Sequence, residues 1–251
     1  QMLFNLMTNF RTNDQHQHPP DDRWEGDDLS DPKSHNSTRI MFHNVNGLTL
    51  QGIDGFDMFA NEQNLLQIDI QGFSEHCLDS TKYQVHHTAQ ELLRRHYDGQ
   101  CLLQLHSSEE PALHTYKPGG TGILMLGTLA SRLEPHGKGG DPMGRWTFVH
   151  MRRKNAPPVT IISAYQVCPR PTNVIGNTAY HQQLRALHNA GKHNTHPRQA
   201  FIQDLGDFIE RLQTRGHDII LGGDFNEALE DRNSGIHRLI TSCNLTDPFL
   251  I

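Results

Sequence analysis

The run Ile220-Leu-Gly-Gly-Asp-Phe-Asn-Glu227 is an apolar segment that ends abruptly on a carboxylate and a carboxamide. With Asp218 and Ile219 before it and Gly216 as a stop upstream, it has the form of a short buried strand. Asp224 and Asn226 then stand at the strand's carboxyl end, the rim where the functional groups of α/β sheets collect. Alone, an Asp or Asn in that position is most often a turn residue.

The same habit recurs upstream. Residues 39–46 read as a strand closing on Asn44 and Asn46-Gly47, and residues 65–73 as a second that ends near Ser74-Glu75. Residues 122–127 form a glycine-bounded buried strand fed by a tight turn at Gly119-Gly120. Residues 145–151 and 159–165 predict a hairpin across Asn155-Ala-Pro-Pro158, its second arm ending on Tyr165, while Gly137 to Pro142 reads as a loop. Helices are predicted over 84–97, 180–189 and 198–215. In the last, Phe201, Leu205, Phe208, Ile209 and Leu212 make one core-facing stripe before Gly216. Strands interleaved with helices, hairpins included, give an α/β or α+β class rather than a bundle.

Composition narrows the function. The chain has 251 residues, 35% of them hydrophobic, with a formal charge of −6 and a mean hydropathy of −0.62. Residues 1–38 hold seven acids against three bases, so the remainder is close to neutral. That is no basic coat of the kind that binds nucleic acid by bulk electrostatics, and a phosphodiester would be held by a few local cations and a metal. Residues 1–37 are polar, turn-rich and without period, which predicts a disordered acidic tail ahead of a domain spanning 38–251. No run reaches the ~18–20 apolar residues of a membrane span. Cys77, Cys101, Cys168 and Cys243 are scattered without a C-x-x-C, which argues against a disulfide scaffold or a zinc ribbon and favours a reducing intracellular compartment, nuclear or cytoplasmic. The 18 histidines make no H-E-x-x-H pattern, and His43 and His76, beside the strand ends, read as packing or surface residues.

The strand-end set is chemically coherent. Glu75 and Asp224 are carboxylates suited to a hard divalent ion, which takes one or two of them and fills its shell with water and phosphate oxygens. Asn side chains orient a water or a phosphate oxygen without adding negative charge.

Five segments in order, Phe42-His-Asn-Val-Asn-Gly-Leu48, Asp69-Ile-Gln-Gly-Phe-Ser-Glu75, Gly119-Gly-Thr-Gly-Ile-Leu124, Ile162-Ser-Ala-Tyr165 and Ile220 to Glu227, resemble the ordered motifs of the endonuclease/exonuclease/phosphatase superfamily. The resemblance covers about residues 39–250. It implies a four-layered sandwich of two mixed β-sheets flanked by helices, with the active site at one edge and Mg²⁺ (or Mn²⁺) as cofactor. It further implies that Asn44 lies near metal and phosphate, that Glu75 is the principal metal ligand, and that Tyr165 contacts the scissile phosphate. Asp224 would position or deprotonate the attacking water, with Asn226 orienting the phosphate beside it. Asn46 stands where many nucleases of the group carry a metal-associated Asp, and Arg170 is a looser candidate for a substrate phosphate.

One departure matters. The Ser-Asp-His-type motif that closes this kind of domain is not found after Asp224, which suggests a domain incomplete at its C-terminus, with the final strands missing; the opening Gln also suggests a trimmed frame. Loss of such an electrostatic stabiliser costs ~10²–10³ in rate. The leading expectation is metal-dependent endonucleolytic nicking of DNA, and the stretch after Tyr165 resembles retroelement endonuclease domains. Two alternatives stay open: a phosphatase or phosphodiesterase of inositol phosphates or phospholipids, and a non-catalytic remnant.

Overall fold

The computed structural model describes residues 2–4, 33, 37–51, 55–113, 116–170, 176–229 and 231–247. In chain order the elements are β1 (Met2–Phe4), β2 (Ile40–Asn44), α1 (Phe56–Leu65), β3 (Ile70–Ser74), α2 (Tyr83–His96), β4 (Cys101–His106), β5 (Thr121–Leu126), β6 (Leu133–Gly140), β7 (Trp146–Arg153), β8 (Ala156–Tyr165), α3 (Ala179–Asn189), α4 (Pro197–Thr214), β9 (Asp218–Asp224) and α5 (Gly235–Ser242). They build two mixed sheets, one ordered β2-β3-β5-β4 and the other β1-β9-β8-β7-β6.

Period-2 alternation sorts the strand residues into layers. Phe42, Ile70, Ile123 and Met125 of the first sheet meet Val149, Met151, Val159 and Ile161 of the second, forming the core between the sheets. On the opposite face of the first sheet, Phe73, Leu103, Leu105 and Leu124 pack under Phe56, Phe59 and Ala60 of α1 and Ala89 and Leu93 of α2. On the outer face of the second, Ile162, Ala164, Ile219 and Leu221 pack under the predicted stripe of α4 and Ile236 and Leu239 of α5. The result is helix, sheet, sheet, helix: the four layers implied by the motif order.

The sheets approach closely where glycine allows it. Phe42, fully buried, is wedged between Gly72 and Gly222; a Cβ on either would stand 2.3 Å from its ring. Hydroxyl groups also cross the gap: Thr121 and Thr147 pair at 2.8 Å, and Ser163 donates to the Phe73 carbonyl at 3.2 Å.

Several local expectations are corrected. Leu65 closes α1, so the strand expected over 65–73 is confined to Ile70–Ser74. The supposed loop from Gly137 is largely strand β6, paired to β7. Its glycines suit that place, because a Cβ at Gly139 would fall 2.7 Å from the Phe148 ring and one at Gly140 2.2 Å from the His106 ring. Pro157 and Pro158 lie inside β8, and the turn before it is carried by Asn155 at φ 58°. Of the segment read as a tail, the described residues are Met2–Phe4, running parallel beside β9, Lys33, whose Nζ meets Asp69 at 2.6 Å, and Ser37; the rest lies outside the described residues. Among the described residues no helix is long and apolar enough to cross a membrane.

Candidate active site

Two parallel ladders set the site. β2 pairs with β3 so that Asn44 stands opposite Ser74, the residue before Glu75. β8 pairs with β9 so that Tyr165 stands opposite Asp224. Four strands, two from each sheet, therefore end at one rim and deliver Asn44, Glu75, Tyr165 and Asp224 together.

Side chains then bridge the sheets. Asn44 Nδ2 donates to Asp224 Oδ2 at 2.9 Å across 180 residues of sequence, and the Tyr165 hydroxyl donates to Glu75 Oε1. The other oxygen of Asp224 accepts the Asn226 backbone N–H at 3.1 Å. Asn226 Nδ2 is tied to the Gln166 carbonyl at 2.7 Å, and its Oδ1 accepts from the Cys168 thiol at 3.0 Å. Asn46 is brought to the same rim, its backbone N–H bonded to Asn44 Oδ1 at 2.9 Å.

The rim backbone is bent in a way few side chains tolerate. Asn46, Glu75, Cys77 and Asn226 all have left-handed φ values, 47°, 55°, 58° and 48°. Non-glycine residues rarely adopt this conformation, and such outliers gather at functional sites. The turns are held by main-chain bonds from Gly47 N to Glu75 O at 2.7 Å and from Glu75 N to Gly120 O at 2.8 Å.

Electrostatics follow from burial. Burial, then the Glu75 charge and its hydrogen bond, push the Tyr165 phenol well above its ordinary value, so it stays a proton donor. Burial, followed by the charges of Asp224 and Glu75, raises the Cys168 thiol. Both carboxylates thus act on the same two side chains. His76 is fully buried and lowered to about 4 by that burial. Its Nδ1 accepts the Leu78 N–H at 3.0 Å and its Nε2 reaches the His106 carbonyl at 3.1 Å, as a neutral ring with its proton on Nε2 does. His43, bonded to Gln71 at 2.7 Å, is likewise held near 4 by burial. Both are packing residues.

A cleft of about 220 Å³ opens beside the pair Glu75–Tyr165, its wall including Cys168, Tyr116, Asn177 and the exposed Arg170. Asp224, Asn44, Asn46 and Asn226 do not line it and connect to it through Tyr165 and Cys168. Among the described residues no three His, Cys, Asp or Glu side chains gather as a metal cage. Two carboxylates with neighbouring carboxamides are instead the sparse oxygen set that suits Mg²⁺, which keeps several waters.

Sequence reasoning missed a second tier. Arg198 donates to the carbonyls of Val167 and Asn226 and to Glu227 Oε1; no motif spacing joins residue 198 to residue 226. Glu227 closed a quoted motif, yet it carried no assigned role.

Comparison with solved structures places the architecture. The AP endonuclease LMAP from Leishmania major superposes with a TM-score of 0.54 at 16% identity, covering 82% of this chain and 67% of that one. The chain has the endonuclease/exonuclease/phosphatase fold. An AP endonuclease from Archaeoglobus fulgidus is similar at a TM-score of 0.44 and 14% identity, over 84% of this chain and 66% of that chain. The Neisseria 3' phosphatase NExo, bound to a product DNA hairpin, is similar at 0.43 and 20%, over 78% and 61%. The chain thus spans about three fifths to two thirds of the length of these proteins. No protein-family model and no curated protein sequence matches it. The rim described above lies at the carboxyl ends of β2, β3, β8 and β9.

Proposed function

We propose that the rim is a divalent-metal-dependent phosphodiester hydrolase site that nicks DNA. The observation that carries the proposal is the meeting of Glu75 and Asp224, from different sheets, through Tyr165 and Asn44. Glu75, with Asn46 beside it, would hold Mg²⁺ or Mn²⁺, and such an ion supplies charge neutralisation at the scissile phosphate. Asp224 has one oxygen on Asn44 and the other on the Asn226 N–H, so its plane is fixed while lone pairs remain to accept a proton from an attacking water. The remaining N–H of Asn226 offers a hydrogen bond to a phosphate oxygen, and the neutral Tyr165 phenol, whose single proton Glu75 accepts, would turn that proton to the phosphate where Glu75 holds the ion instead. Arg170 on the cleft wall supplies a local cation for the neighbouring backbone.

DNA is favoured over other phosphodiesters by the Leishmania structure, named as an AP endonuclease, and by the retroelement-like stretch after Tyr165. The test is a nicking assay on supercoiled plasmid with Mg²⁺. Mg²⁺-dependent conversion to open circle, reduced ~10²–10³ in Glu75→Ala and Asp224→Asn, supports the reading. A folded wild type that does not nick makes the chain a non-catalytic remnant; nicking unaffected by both substitutions also overturns the assignment.

A further inference from the structure

We infer that Arg198 is a positioning residue for Asn226, acting through the turn on which that carboxamide sits. The inference rests on the proposed role of Asn226 at the phosphate. Arg198 lies in the first turn of α4, where its positive charge opposes the helix dipole and no acidic residue accompanies it. Helix stability therefore does not account for its placement.

Its contacts do. The Arg198 side chain is 13% exposed. It donates Nη1 to the Val167 carbonyl at 2.5 Å, and Nη2 to the Asn226 carbonyl at 3.2 Å and to Glu227 Oε1 at 2.6 Å. One planar fork thus joins the exit of β8 to the exit of β9, the two strands that present Tyr165 and Asp224. Glu227 is anchored in turn, because its Oε2 accepts the Ile236 N–H at the start of α5 at 2.7 Å. There a carboxylate lies with the helix dipole.

Asn226 needs this support. At φ 48° it sits in the left-handed region, which Asn adopts more readily than other non-glycine residues but which is still uncommon, so a partner that fixes the turn matters. Each of its polar groups has a partner: N–H to Asp224, Nδ2 to Gln166, Oδ1 from Cys168, and the carbonyl from Arg198. Arg198 is the cationic member of that set and the one reaching it from a helix. Lysine has the charge without the fork, so it donates from one atom where Arg198 uses two spaced nitrogens to span the exits of β8 and β9.

The test is a double-mutant cycle on plasmid nicking with Mg²⁺, using wild type, Arg198→Met, Arg198→Lys, Asn226→Ala, Asn226→Ala/Arg198→Met and Asn226→Ala/Arg198→Lys. A misplacement of this kind costs about 10²-fold, so Arg198→Met is expected to lose about that in kcat while KM stays within about threefold. In the Asn226→Ala background the same change is expected to cost almost nothing further. Arg198→Lys keeps the charge and decides by the same cycle if the Met variant does not fold. A full additional loss in the Asn226→Ala background, or a loss confined to KM, overturns the inference while leaving the nuclease reading intact. A wild type that does not nick removes that reading, and the inference with it.

Discussion

Replacing Gly222 by alanine tests whether the close approach of the sheets positions the rim. A Cβ there would lie 2.3 to 2.5 Å from three atoms of the Phe42 ring, well inside the ~3.5–4.0 Å at which carbon atoms attract. The ring cannot retreat, because Gly72 lies against its other edge, where a Cβ would also be 2.3 Å away. Overpacking of this kind costs about 1–3 kcal/mol, and each kcal/mol moves the melting point of a domain this size by about 2–4 °C. Gly222→Ala is thus expected to melt roughly 2–12 °C below wild type by circular dichroism. Phe42→Leu/Gly222→Ala should be more stable than the sum of its single changes predicts, because the smaller side chain vacates the contested space. A Gly222→Ala protein melting with the wild type, or a strictly additive double variant, would refute the wedge. Because β2 and β9 carry the pair Asn44 and Asp224, nicking should fall along with stability.

Gly206 provides the converse case. It sits within α4 and an added Cβ meets only the Leu239 methyl at 3.4 Å, so Gly206→Ala should gain about 0.5–1 kcal/mol in urea unfolding. His76 makes the fold acid-sensitive. Its folded value, about 4, lies below the ordinary 6.5, so its contribution is complete above pH 6.5 and is lost as pH falls from there toward 4. The loss amounts to about 3 kcal/mol. Unfolding free energies at pH 7.5 and 4.5 should show it, and a His76→Gln variant with the same slope would remove His76 as the cause. Tyr165→Phe deletes the donor to Glu75 and should cut nicking by ~10²-fold with the fold intact; an unchanged rate would leave the phenol without a chemical role.

The layers were legible because strongly apolar strands and the α4 stripe announce their own period. What escaped was decided elsewhere in the molecule. β4 reads Cys-Leu-Leu-Gln-Leu-His, too short and mixed to stand out, and becomes a strand by pairing with β5. α1 buries Phe56, Phe59, Ala60 and Gln63 among polar neighbours, a faint stripe. α5 starts on a Ser234 cap that accepts the His237 N–H, a signal present in the sequence but easily lost beside a glycine. β6 is the sharpest case: its glycines spell loop by local preference, and tertiary fit to Phe148 and His106 overrides them. At the site, strand ends flagged Asn44, Glu75, Tyr165 and Asp224. Which of them bond to one another depends on the facing of two sheets, and the Arg198 fork on a helix start; neither is written in spacing.

The left-handed turns under Asn46, Glu75 and Asn226 restrict how this rim could be transplanted. Copying the six polar side chains onto another sandwich would not reproduce it, since ordinary strand exits would point those groups elsewhere. A graft would have to bring the strand-exit turns along with their main-chain ties to Gly47 and Gly120, making the smallest portable unit a set of loops rather than a set of residues.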